Sequence, residues 1–252
     1  MKKIKLFPII LIICLALASA APSALALDAP ELNGKAMALV DMDTGNVIYE
    51  RNMEDERAPA SLTKIMTVLL ALEAIDRGDC SLEETITAGT DCRDGMEDDI
   101  SSSGILPGMQ VTMQELLYCA LLQSANEACN VIASRVSGSV PAFVELMNQK
   151  AADLGCTHTH FANTNGLPAE GHYSSAYDLN LITKSAMSYP LFMEICNTTS
   201  YQPVNTAINN GNTIYNSNAL ICAGSIYGSQ YLLELECGVL KVFRCEEGFL
   251  VL

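Results

Sequence analysis

Ser61 and Lys64 stand three residues apart at the head of an apolar stretch, in the run Ala58-Pro59-Ala60-Ser61-Leu62-Thr63-Lys64-Ile65-Met66-Thr67. Residues i and i+3 share a helix face, so the hydroxyl and the amine can meet. A neutral lysine amine can accept the serine proton. A serine at a helix N-terminus also lies near unpaired N–H groups and the positive end of the dipole. Ser61 is therefore a candidate nucleophile and Lys64 its candidate base. Plainer roles fit the same residues: an N-cap for Ser61 and a solvated first-turn side chain for Lys64. Ser124-Ala125-Asn126 sets a second hydroxyl and an amide two residues apart on a short connection. There Ser124 can relay a proton, and Asn126 can bond the lysine and a substrate amide. A helix-joining turn uses the same residue types.

The elements that must position these groups are legible in outline. Met37–Val40 and Val47–Tyr49 read as the arms of a hairpin whose turn holds Gly45. The Ser61 helix is apolar on most faces, which predicts burial, and Gly78 stops it. Thr85–Thr87 reads as a short strand and residues 91–104 as loop. Thr112-Met113-Gln114-Glu115 is a capping box that opens a helix through Leu122. Further helices are expected over Glu127–Ser137, from Pro141 to Gly155, and from Ser175 to Ser188, the last ended by Pro190. Strands at both ends with helices between predict an α+β domain, an antiparallel sheet covered by helices.

Composition narrows the function. The net charge of −15 argues against nucleic-acid binding and against attraction to an anionic membrane. Lys2, Lys3 and Lys5 precede an apolar run from Leu6 to Ala18. Small residues then offer cleavage after Ala20 or Ala26, so residues 1–26 read as an export signal. The run is short for a membrane span and contains Pro8. Cys14 lies inside it, which does not suit a lipoprotein anchor. The protein is thus expected outside the cytoplasm, in the cell envelope, without membrane association once the signal is removed. Of ten cysteines nine follow the signal, an odd number with scattered spacing, and most read as free core thiols. His158 and His160 alternate as on a strand and His172 lies in a loop, which does not suggest a metal site.

S-x-x-K followed by S-x-N is the pattern of the penicillin-recognising serine enzymes. Pro59–Thr67 resembles the nucleophile segment of the low-molecular-weight D-alanyl-D-alanine carboxypeptidases, serine peptidase family S11. Leu121-Leu122-Gln123-Ser124-Ala125-Asn126-Glu127-Ala128 is similar to that family's second motif, usually S-G-N-D-A. Phe143–Asn148 with Leu154-Gly155, then Phe161–Pro168 and His172–Leu179, resemble the stretches that follow. The resemblance covers about residues 29–200. It implies a β-lactamase/transpeptidase-like fold over residues 27–252 and a hydrolase of peptidoglycan stem peptides ending in D-Ala-D-Ala. β-Lactam antibiotics would be covalent inhibitors, and no metal or organic cofactor is needed. Ser61, Lys64 and Ser124 would be catalytic and Asn126 substrate-binding. A β-lactamase of the same superfamily is a further reading, but the flanking residues match the carboxypeptidases and no deacylating glutamate can be placed.

The family's third motif, K-T-G or K-S-G, is absent from the sequence. The nearest string is Cys237-Gly238-Val239-Leu240-Lys241-Val242-Phe243-Arg244, in which Lys241 can supply the charge for a substrate carboxylate. Val242 and Phe243 cannot supply the hydroxyl. The chain is therefore expected to be altered or truncated after about residue 235, by a frameshift or sequencing error near Leu235 or by divergence, and to lack the family's second, β-rich domain. A non-catalytic fragment or pseudoenzyme that binds cell-wall peptide is the alternative function.

Overall fold

The computed structural model describes residues 34–41, 44–96 and 100–218 in full and the backbone of 242–245 and 248–251. The export signal and Lys241 lie outside the described residues.

The hairpin forms as expected. β1 (Met37–Asp41) pairs antiparallel with β2 (Val47–Arg51), with a bulge between Leu39 and Val40. A 3₁₀ turn, Ala60–Leu62, then leads into α1 (Thr63–Asp76). Every residue of α1 from Thr63 to Leu72 is buried. Neither end of α1 has an acidic or basic residue matched to the dipole, and no side chain caps its start. Apolar burial holds it instead, at roughly 1.5–3 kcal/mol for each fully buried Leu, Ile, Val or Met. Gly78 ends it at φ +79°.

β3 (Thr85–Thr87) pairs with β4 (Gln110–Thr112). The capping box then opens α2 (Met113–Leu122): Glu115 N–H donates to Thr112 Oγ1 at 3.1 Å and Thr112 N–H to Glu115 Oε2 at 2.9 Å. α3 (Asn126–Ser137), α4 (Val140–Asp153) and α5 (Ala176–Met187) follow near the expected bounds. Ser175 caps α5 by accepting from Asp178 N–H. Pro190 does not simply end that helix. It opens α6 (Pro190–Asn197), because proline lacks only an N–H that the first turn leaves unbonded. The histidine strand is also corrected: His160 makes an isolated bridge to Tyr173, and no strand forms there.

β5 (Ser200–Tyr201) pairs with β6 (Ile214–Tyr215). β7 (Val242–Cys245) and β8 (Gly248–Val251) return to the start of the chain. The sheet has the order β2-β1-β8-β7, antiparallel throughout, with Val40 opposite Val251. Ala176 of α5 packs on Ala38 and Val40 of β1, so a helix lies against this antiparallel sheet. The larger core surrounds α1 and draws on α2, α3, α4, α5 and α6. Six described cysteines are free thiols, four of them buried.

Candidate active site

Ser61 is not an N-cap. It lies inside the 3₁₀ turn, and no side chain caps either that turn or α1. A 3₁₀ turn has three residues per turn, so i and i+3 eclipse. Lys64 Nζ accordingly lies 3.1 Å from Ser61 Oγ. The Ser124 hydroxyl donates to the same Ser61 Oγ at 2.8 Å. Ser124 comes from the connection between α2 and α3, where it adopts φ +58°; Ala60, just before Ser61, adopts φ +48°. Left-handed backbone at a non-glycine residue costs about 1–3 kcal/mol, and here it sits at both serine segments.

Lys64 is only 2% exposed, which rules out a solvated side chain. Its amine donates to the Asn165 carbonyl at 2.6 Å. Desolvation pulls its pKa below the ordinary lysine value, against smaller upward pulls from Cys129 and Glu127. A neutral amine keeps one lone pair. With an N–H spent on Asn165, that lone pair can face the Ser61 proton.

The turn that carries Asn165 was not singled out from the residues as a site. Asn163 Oδ1 accepts from Asn165 and Gly166 N–H, and Asn165 Oδ1 accepts from Leu167 N–H. Thr67 donates to the Thr164 carbonyl at 2.6 Å, and Thr164 to Asn130 Oδ1 at 2.6 Å. Gly166 adopts φ +92°, and a Cβ there would stand 1.7 Å from the Ala60 carbonyl oxygen. The string Asn163-Thr164-Asn165-Gly166 reads as a turn in sequence, but nothing local says which amine its carbonyl will hold.

His172 fastens the same region. Ala162 N–H donates to its Nδ1 at 2.9 Å, which leaves the proton on Nε2, 2.9 Å from Thr63 Oγ1. Burial, aided by the charge of His160, pulls the His172 pKa down to about 4, so the ring is neutral. Asn126 departs from expectation. Its Nδ2 and backbone N–H both donate to the Ser101 carbonyl, and among the described residues it makes no bond to Lys64. No described cluster of His, Cys, Asp or Glu can hold a metal ion.

Residues 23–229 match the family model Peptidase S11, D-alanyl-D-alanine carboxypeptidase. The chain belongs to that family. It is 39% identical over 159 residues to the D-alanyl-D-alanine carboxypeptidase DacF of Bacillus subtilis, which covers 62% of this chain and 39% of the relative. DacA of Escherichia coli is 38% identical over 156 residues, 61% of this chain and 39% of the relative. The chain thus matches about two fifths of the length of these relatives. The fold is similar to that of penicillin binding protein 6B from Escherichia coli, with a TM-score of 0.76 at 26% identity over 90% of this chain and 72% of that one. In this D-alanyl-D-alanine carboxypeptidase family member, the described residues bring Ser61, Lys64 and Ser124 together. Asn126 lies on the first turn of α3, two residues beyond Ser124.

Proposed function

We propose that this chain is a serine-type D-Ala-D-Ala carboxypeptidase that removes the terminal D-alanine of peptidoglycan stem peptides through an acyl-enzyme on Ser61. The supporting observation is the buried Lys64 amine 3.1 Å from Ser61 Oγ, with the Ser124 hydroxyl 2.8 Å from the same oxygen. Ser61 attacks the carbonyl of the penultimate D-alanine while Lys64 takes its proton. The bond to the terminal D-alanine breaks, and its amine leaves with a proton relayed through Ser124. Water then hydrolyses the ester. Because Asn126 Nδ2 is committed to Ser101, its Oδ1 is the atom left to accept from a substrate N–H. Lys241 binds the terminal carboxylate. β-Lactams acylate Ser61, and the protein acts in the cell envelope once residues 1–26 are removed.

A second reading is favoured by one observation, the absence of K-T-G and K-S-G from the sequence. On that reading the chain binds cell-wall peptide without turning it over. Labelling with a fluorescent penicillin, paired with D-alanine release from a D-Ala-D-Ala peptide, separates the two. An adduct that disappears in Ser61→Ala, together with D-alanine release, supports the enzyme. A folded chain that neither labels nor releases D-alanine is the non-catalytic relative.

A further inference from the structure

Gln123 stands between the last residue of α2 and Ser124, and the chemistry above does not use it. Its side-chain amide is bonded at both atoms. Oε1 accepts from Ser103 Oγ at 2.8 Å, and Nε2 donates to Asn209 Oδ1 at 3.2 Å. Asn209 N–H donates in turn to the Ser103 carbonyl at 2.7 Å. Three residues from three separate segments thus form a closed ring in which each pair shares a bond. Asn209 Nδ2 is spent on the Asn212 and Thr213 carbonyls, which leaves Oδ1 as the atom that faces Gln123. Gln123 must then present Nε2 to Asn209, and its Oε1 is left for Ser103.

The ring stands where the backbone needs support. Ser124 is the first residue past the C-cap of α2 and adopts φ +58°, a conformation that glycine usually supplies there. Asn209 is itself left-handed, at φ +50°. The segment that carries it is fastened along α2 at two further points: Asn205 N–H donates to Glu115 Oε1 at 2.8 Å, and Ser217 N–H to the Leu122 carbonyl at 3.1 Å. Ser103 is buried, and its N–H donates to Glu127 Oε1 at 2.7 Å, which anchors the third corner.

We propose that Gln123 is a positioning residue, whose amide, locked between Ser103 and Asn209, holds the left-handed turn at Ser124 and so keeps the Ser124 hydroxyl against Ser61. Its catalytic consequence rests on the carboxypeptidase reading, in which Ser124 relays the proton to the leaving group. The ring itself rests on the hydrogen bonds alone.

The rate of penicillin acylation of the full chain, followed to saturation in penicillin, separates binding from chemistry. Gln123→Met keeps the length of the side chain and removes both of its bonds. Asn209→Gly keeps the left-handed backbone and the N–H to Ser103 but removes the acceptor. In each folded variant the limiting rate should fall at least about tenfold, because a displaced Ser124 delivers the proton less well, while the half-saturating concentration changes little. The double variant should be no slower than the slower single variant, since both changes open one ring. Hydrogen exchange at Ala125 and Asn126, whose N–H groups bond the Cys119 and Ser101 carbonyls, should quicken in both single variants. Folded variants that keep the limiting rate of the parent overturn the proposal, and so do losses that multiply in the double variant. A parent chain that never acylates sinks the carboxypeptidase reading instead. Exchange then decides: quickened exchange upholds the ring, and unchanged exchange overturns it.

Discussion

One missing methyl group decides whether Ser61 can be where it is. Gly166 lies against the Ala60 carbonyl and the Ser61 backbone nitrogen, at a φ that side chains rarely adopt. Gly166→Ala therefore strains the turn and pushes it off the serine at once. We expect a loss of about 2 kcal/mol or more in stability and at least a tenfold loss of penicillin labelling, read by chemical unfolding and by the labelling rate. Unchanged labelling would mean that the Asn165 carbonyl is not what orients Lys64. Lys64 shows the opposite side of the same scale. Its chemistry follows from removal of water, since the pulls of Cys129 and Glu127 run the other way.

At the scale of elements, α1 carries both the serine turn and the lysine, and it is held by its apolar surroundings on every side. His172 is a polar tie between its first turn and the segment at Ala162. That tie has a pH signature. The folded-state value near 4 lies below the unfolded value of 6.5. Above pH 6.5 the ring is neutral in both states and the full stability is present. Between pH 6.5 and 4 the unfolded chain takes up a proton that the folded chain refuses, so stability falls, by on the order of 3 kcal/mol across the window. Below pH 4 this contribution levels off. Urea unfolding at pH 7 and pH 4.5 should show the loss in the parent protein and a smaller one in His172→Gln. Equal losses in both would assign the acid sensitivity elsewhere.

On the scale of the whole molecule, the described sheet is closed by strands from opposite ends of the chain. β8 covers the edge of β1 at Val40 and Asp41, and β7 forms the outer strand. Removing residues 242–252 would leave that edge of β1 unpaired, a template for pairing between molecules. We expect the shortened chain to melt at a lower temperature, to aggregate on light scattering and to lose penicillin labelling. A shortened chain that stays monomeric and labels normally would show that α1, α2 and α3 assemble the site without the sheet.

Much of this protein could be read from local sequence. The capping box at Thr112–Glu115, the hairpin around Gly45 and the buried α1 announce themselves because caps, turns and apolar periodicity act over a few residues. So does the Ser61–Lys64 pair, since its spacing places both groups on one side of a turn. The tertiary structure decided the rest. It chose a 3₁₀ turn over a cap for Ser61, and took water away from Lys64. It spent Asn126 on Ser101 and gave Lys64 the carbonyl of Asn165, 101 residues away. It also buried Glu127, whose Oε1 accepts from Ser102 Oγ, Ser103 N–H and Ile105 N–H. Desolvation and long-range hydrogen bonds depend on which segments meet, and that is a property of the packed chain.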